Sequence, residues 1–236
     1  MTQPYGLKIV DHTEQCPYLG DRQATMPFYL PLHQLPPEAL DRVMAEGVRR
    51  SGVFLYHTQC DSCRACVPIR IPVDRFTPRR RHRRVLAKTG QQVRVETGPL
   101  VSDETRVTLY NRHKIERDLG QPGSEVDTDA MHEFLGTTCC HSEELRLLLD
   151  DRLVGVSIFD QGATAMSAVY CYFDPSLPQL GLGTFAILQQ IELCRQRGLK
   201  HLYLGFHVAE NDHMRYKASF LPHERKVAGE WVEFLE

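Results

Sequence analysis

The sequence predicts an α+β chain in two units, the larger built on a mixed, mostly antiparallel sheet with helices. Three observations predict it. Residues 144–173 hold three strand-like runs, "ELRLLLD", "LVGVSIFD" and "TAMSAVYCYF", separated by a tight "DR" turn and by "DQGA", which is the spacing of an antiparallel meander. Next, "LPQLGLGTFAILQQIELCRQRGL" is a glycine-containing loop entering a helix, and "HLYLGF" follows as a strand. Strand, helix and strand in that order make a right-handed crossover between parallel strands. Ahead of these, residues 1–98 carry a helix and short strands of their own, a smaller α/β unit. The length of 236 residues fits one large domain or two small ones.

Each element has a local reason. Residues 36–50, "PPEALDRVMAEGVRR", read as a helix, with prolines at its start and Ala39, Leu40, Val43, Met44, Gly47 and Val48 at helical spacing. "GVFLYH" reads as a strand. "VPIRIPVD" alternates Val67, Ile69, Ile71 and Val73 against Pro68, Arg70, Pro72 and Asp74. Two prolines on one side make it an edge or irregular strand. "QQVRVE" is another short strand, and "TGPL" after it marks a boundary between units 1–98 and 99–236. Ser102 is a good N-cap for the next helix, with acidic residues in the first turn. Residues 111–126 are polar and carry "DLGQPGS", read as a mobile loop, and a short helix follows Asp127. In the crossover helix Phe185, Leu188, Gln189 and Glu192 keep a 3.6-residue period, with Ile187, Ile191 and Cys194 beside them. A meander, a Gly-x-Gly loop at a helix start and a parallel strand is the order of a GNAT-like acyltransferase. No internal repeat or low-complexity tract interrupts it.

Composition is ordinary for a soluble globular chain, with 42% hydrophobic and 25% charged residues. No apolar run approaches the roughly 18 residues of a membrane helix. The N-terminus lacks a basic segment followed by an apolar one. No membrane association is expected, and the cytoplasm is the expected compartment. There the eight cysteines are not a disulfide framework. Cys171 and Cys194 read as core packing. The net charge is only −2, yet Arg75, Arg79, Arg80, Arg81, Arg83, Arg84, Lys88 and Arg94 follow one another with no Asp or Glu between them. Such a run is self-repelling unless an anion visits, so it reads as a local anion site rather than a solvated face. Beside it, Cys60, Cys63 and Cys66 stand three apart, with Cys16 as a remote fourth. That is ligand enough for tetrahedral zinc or an iron–sulfur cluster. The paired Cys-x-x-Cys of a zinc ribbon is absent, and packing of small residues around a turn is the preferred reading. Cys139 and Cys140 point to nothing specific.

Six segments in order, "CPYLGDRQATMPF", "CDSCRACVPIRI", "AVYCYFDP", "LGTFAILQQIE", "YLGF" and "MRYKASF", resemble the bacterial members of the arginyl-tRNA–protein transferase family over nearly the whole chain. The resemblance is strongest to the branch that uses leucyl-tRNA. It implies a GNAT-like C-terminal domain with a smaller N-terminal domain packed on it. It implies transfer of leucine from leucyl-tRNA to proteins with N-terminal Asp or Glu, which marks them for the N-degron pathway. Eukaryotic members carry a Cys-x-x-Cys near the N-terminus and an adjacent Cys-Cys pair implicated in iron–sulfur binding. Here Leu19 stands three after Cys16 and Arg64 follows Cys63, so those ligands do not carry over, and no cofactor is required by the chemistry. The choice of leucine as donor rests on the resemblance alone.

Site residues follow. Tyr170, Tyr172 and Asp174 alternate, so their side chains share one face, and two phenols and a carboxylate there suggest a lined catalytic pocket. Asp174 or a nearby water would accept the proton, and a tyrosine would donate to the developing charge. Arg75, Arg79 and Arg80 are the candidates for the acceptor's carboxylate, because an Arg fork tells a carboxylate from an amide. Arg83, Arg84, Gly181, Gly183, Thr184, Arg215, Tyr216 and Lys217 are the candidates for tRNA, Gly181 and Gly183 because a helix start favours anions. Two rival functions remain. One is an acetyl-CoA-dependent N-acetyltransferase, whose pyrophosphate loop "QLGLGT" partly matches. The other is a non-catalytic zinc-dependent nucleic-acid-binding protein.

Overall fold

The computed structural model describes residues 5–120 and 123–236. Leu7–Gln15 (β1), Gln23–Leu30 (β2), Arg49–Ser51 (β3) and Phe54–Tyr56 (β4) form an antiparallel four-stranded sheet in the order β1-β2-β4-β3, with the helix Pro37–Ala45 (α1) inserted after β2. The second sheet has eight strands. They are Val67–Pro72 (β5), Val93–Pro99 (β6), Ser142–Leu149 (β7), Arg152–Gln161 (β8), Ala165–Phe173 (β9), His201–His207 (β10), His223–Val227 (β11) and Glu230–Phe234 (β12), in the order β12-β11-β5-β10-β9-β8-β7-β6. The expected meander is β7-β8-β9. The expected crossover is β9, the helix Leu182–Gln196 (α5) and β10, with β9 and β10 parallel. The arrangement is a GNAT-like acyltransferase fold.

Burial explains the layers. Ile69 and Ile71 of β5, Leu147 of β7, Met166 of β9 and Leu202 of β10 are all 0% exposed and pack under α5 and the helix Arg80–Thr89 (α2). The opposite face of β8 and β9 receives the helix Glu104–Glu116 (α3) and the short helix Thr128–Met131 (α4) through Val107, Tyr110, Met131, Val156 and Tyr172. Helix α1 joins the sheets, with Val43 against Tyr29 and Leu55 of the small one, and Leu40 and Met44 against Ala165 and Tyr203 of the large one. Arg50 and Asp160, both 2% exposed in their side chains, close an ion pair of 2.8 Å between the sheets.

Several expectations are corrected. Of the two readings of segment β5, the edge strand is wrong, because it lies inside the sheet between β10 and β11, while the irregular strand fits its pairing with β10, which shifts register between Tyr203 and Gly205. Its prolines are tolerated because β11 takes register only at Arg70 and Ile69, between Pro68 and Pro72. The helix expected over 36–50 ends at Ala45, because Gly47 turns to φ +82° and the chain then re-enters as β3. Helix α3 is capped by Asp103, which accepts from the Arg106 N–H at 2.9 Å, rather than by Ser102. It continues to Glu116, so only part of the polar stretch after 111 is loop. Of "DLGQPGS", Gln121 and Pro122 lie outside the described residues. Residue 98 lies in β6. Strands β1, β2, β11 and β12 were not foreseen from local pattern. Among the described residues no helix is long and apolar enough to cross a membrane.

Candidate active site

Strands β9 and β10 pair only at His201↔Ala165, Leu202↔Met166 and Tyr203↔Ser167, while β10 runs on to His207 and β9 to Phe173. Beyond Ser167 the two strands part. A fork in a buried sheet strands backbone carbonyls that need partners. Two cations supply them. Arg49, from β3 of the small sheet, donates from Nη1 to Ser167 Oγ at 2.8 Å and from Nη2 to the Ala168 carbonyl at 2.7 Å. Lys217, in the turn Tyr216–Ser219, donates from Nζ to the Phe206 carbonyl at 2.8 Å. Gly205, at φ +81°, makes room for the guanidinium: a Cβ there would sit 3.0 Å from Arg49 Cζ. Lys217 is 9% exposed, and burial together with the Arg49 charge pulls its amine down to about 7. Tyr56 hydrogen-bonds with Arg49, and Tyr18 lies close to both.

The turn that carries Lys217 also forms one wall of the arginine groove. Helix α2 presents Arg80, Arg81, Arg83 and Arg84, with Arg79 at its start. Two overlapping cavities of about 450 and 1080 Å³ share Arg79, Arg80, Arg83 and Leu221 among their lining residues, and no acidic residue lines either. The arginines divide their work. Arg79 donates to the Leu235 carbonyl at 3.1 Å, Arg83 to the Pro78 carbonyl at 2.9 Å and Arg81 to the Ser219 carbonyl. Arg80 and Arg84 have no hydrogen-bond or ion-pair partner among the described residues. They stand one helical turn apart and are exposed. His82 underlies the groove at 0% exposure, with N–H donors from Arg79 and Arg81 aimed at its ring nitrogens, and burial pulls it down to about 4.

Arg75 also lines the smaller cavity, but it is committed to the chain's own acids, Glu224 at 3.0 Å and Glu233, and these neutralise the charge it would offer an acceptor. The other expected residues sit elsewhere. Tyr170, Tyr172 and Asp174 do share the α3 face, but α3 fills it. Tyr172 is 1% exposed and Asp174 2%, whereas Tyr170 keeps partial exposure, with its ring 5.6 Å from that of Tyr110. Asp174 accepts from the Ser176 N–H and hydroxyl at 3.0 and 2.6 Å and pairs with Arg112 and Arg152 at 3.1 and 3.3 Å. Although burial opposes it, these partners hold its carboxyl below the usual range. Such a carboxylate is a weak base. Gly181 lies against Val85 of α2 and Gly183 against the Phe173 ring, where a Cβ would come within 2.9 Å. Neither glycine nor Thr184 lines the arginine groove. Arg215 is exposed and pairs with Asp212, and Tyr216 is 43% exposed.

Cys66 is pushed up to about 12 by burial and, to a lesser degree, by the thiols of Cys16, Cys60 and Cys63. Cys63 is held down by hydrogen bonds from the Ala65 backbone and from Arg22 Nη1 at 3.4 Å. Among the described residues no three His, Cys, Asp or Glu side chains meet in a metal-binding arrangement. Sequence reasoning missed Arg49, Tyr18 and Tyr56. No local pattern marks them, because the fork that gives them meaning forms between distant segments.

Comparison with known proteins bears on the same regions. The family model described as "Arginine-tRNA-protein transferase, C terminus" matches residues 105–227, and its N-terminal counterpart matches residues 14–84. The aspartate/glutamate leucyltransferase of Alkalilimnicola ehrlichii is 41% identical over 221 residues, covering 92% of this chain and 91% of the relative. That of Alcanivorax borkumensis is 38% identical over 225 residues, with 94% and 91% covered. That of Saccharophagus degradans is 31% identical over 237 residues, covering 100% of both. Among solved structures, the C-terminal domain of a putative lysylphosphatidylglycerol synthetase from Agrobacterium fabrum aligns with a TM-score of 0.52 at 11% identity, over 87% of this chain and 65% of that one, a likeness of fold. With both family models matched and these relatives aligned over nearly their full lengths, the chain belongs to the arginine-tRNA-protein transferase family.

Proposed function

We propose that this chain transfers leucine from leucyl-tRNA to the α-amino group of proteins that begin with Asp or Glu, in the cytoplasm, and so marks them for the N-degron pathway. The observation that carries the reading is the near-full-length match to relatives named aspartate/glutamate leucyltransferase. The fork beside an acid-free arginine groove fits it chemically.

The reaction needs little beyond placement. The donor is an ester, already activated. The neutral α-amine attacks the leucyl carbonyl, the new C–N bond forms and the ester C–O bond to the terminal ribose breaks. The amine's proton leaves and the ribose oxygen ends protonated. Holding the amine against the ester supplies on the order of several kcal/mol of barrier reduction. A donor to the tetrahedral oxyanion contributes roughly 3 kcal/mol. Of the tyrosines foreseen for that donor, Tyr170 retains exposure. No covalent enzyme intermediate is required, so the cysteines are not nucleophiles, and neither zinc nor an iron–sulfur cluster enters a step. In this reading Arg80 and Arg84 of the groove hold tRNA phosphates.

The test is a transfer assay with radiolabelled leucyl-tRNA and peptides that differ only in their first residue. Label is expected on peptides beginning with Asp or Glu. Transfer from arginyl-tRNA alone corrects the donor. Turnover of acetyl-CoA without any aminoacyl transfer overturns the reading.

A further inference from the structure

Several buried and half-buried cations of this protein meet a carboxylate, while Arg117 and Arg225 lie instead over the rings of Phe173 and Phe234. Arg50 pairs with Asp160, Arg106 with Glu144, Arg70 with Glu224 and Arg197 with Glu143. Arg49 and Lys217 face one another's charge at the strand fork and, among the described residues, hydrogen-bond only to neutral groups: Ser167, Ala168 and Tyr56 for the first, Phe206 and Met214 for the second. Two adjacent basic groups that have lost water repel, which is why the Lys217 amine falls to about 7, and an anion between them would restore its charge. Their donors are not exhausted. A guanidinium has about five N–H groups and an ammonium three, so after the contacts above about two remain on Arg49 and one on Lys217. That number serves the two oxygens of a carboxylate.

We propose that Arg49 and Lys217 form the pocket for the acidic side chain of the acceptor's first residue, a carboxylate one or two methylenes from the attacking amine. The proposal rests on the reading of the chain as a transferase for acidic N-termini, and it moves acceptor selection from the arginine groove to the fork. The groove cannot easily serve both substrates. Its free arginines are exposed, spaced by a helical turn and continuous with each other, which suits a chain of phosphates. The fork offers two fixed cations backed by strand carbonyls, which suits a single small anion. The turn Tyr216–Ser219 joins the two sites: Lys217 points into the fork, and the Ser219 carbonyl holds Arg81 of the groove. Asn and Gln have nearly the shape of Asp and Glu, but their amide nitrogen would face cationic donors. Unsatisfied donors of that kind correspond to roughly tenfold to hundredfold discrimination.

Lys217→Met, Arg49→Gln and Ser167→Ala test it, with thermal melts to verify folding. For each, kcat and KM are measured with peptides beginning with Asp, Asn, Glu and Gln. Equilibrium binding of dye-labelled Asp and Asn peptides is measured separately, without tRNA. The wild type is expected to prefer Asp over Asn in both assays. Lys217→Met and Arg49→Gln are expected to bring that ratio near one, mainly through KM, with leucyl-tRNA affinity unchanged. Ser167→Ala loosens Arg49 without removing charge and is expected to raise KM for acidic peptides several-fold, which keeps the test alive if the other variants do not fold. An unchanged Asp/Asn ratio in folded variants overturns the proposal. So does an equal fall in kcat for all four peptides, or a loss of tRNA affinity with selectivity intact. If the wild type transfers no leucine, the reaction reading fails, and the binding ratio still decides the fork.

Discussion

The arginine groove and the strand fork both gather positive charge, and they do so by opposite means. In the groove, consecutive residues of one helix bring the cations together, so the charge is local in sequence, exposed, and relieved by water and by carbonyls such as Leu235 and Pro78. In the fork, Arg49 and Lys217 come from segments far apart in the chain, and each is fixed by a strand carbonyl left over where β9 and β10 diverge. The difference teaches that an exposed cluster can wait for a flexible polyanion, whereas a buried pair is shaped for one small partner. Arg49 and Arg50 show the contrast at adjacent positions. Arg50 turns inward to Asp160, and Arg49 has no carboxylate partner among the described residues.

The largest expected effect of a single substitution tests that contrast directly. Asp160→Asn strands Arg50 as an uncompensated buried charge and is expected to cost about 3–5 kcal/mol in urea unfolding. A loss below 1 kcal/mol would mean that buried cations here tolerate the absence of an acid, and the argument about the fork would lose its premise.

Acid comes next. His82 beneath the groove, His113 against Phe173 and His223 are each pulled by burial to about 4, below the unfolded value near 6.5. A histidine whose folded pKa is depressed binds fewer protons folded than unfolded between those values. Stability is therefore expected to be flat above about pH 6.5 and to fall as pH drops toward 4, by on the order of 3 kcal/mol for each such group. Urea melts at pH 7 and 4.5 check this, and His82→Phe is expected to reduce the acid loss.

The groove has a smaller, salt-dependent signature. Arg80→Gln with Arg84→Gln is expected to weaken leucyl-tRNA binding about tenfold and to reduce the log–log salt slope by about 0.7–0.9 per arginine. An unchanged slope would take these residues off the RNA. Least of all, Arg75→Gln is expected to cost at most about 1 kcal/mol of stability and to leave the salt slope as it was, because Arg75 already answers Glu224 and Glu233. A drop in slope equal to that of Arg84→Gln would return Arg75 to the RNA surface.

The sequence by itself determined the meander, the crossover and the run of arginines. Each is a local pattern: alternation over residues 144–173, a 3.6-residue period after Gly183, and like charges with no acid among them. It also carried the ordered motifs that place the chain in its family. It did not determine that Val67–Pro72 sits inside a sheet, that α3 fills the face of Tyr170, Tyr172 and Asp174, or that Arg75 is neutralised. Only the tertiary structure decided these, and only it brought Arg49 beside Lys217. The reason is physical. Periodicity and helical spacing follow from the geometry of neighbouring residues, so they can be read along the chain. Strand order, the counter-ion of a charge and the place where two strands part depend on which distant segments meet, and each of those pairings is set by burial of the whole core.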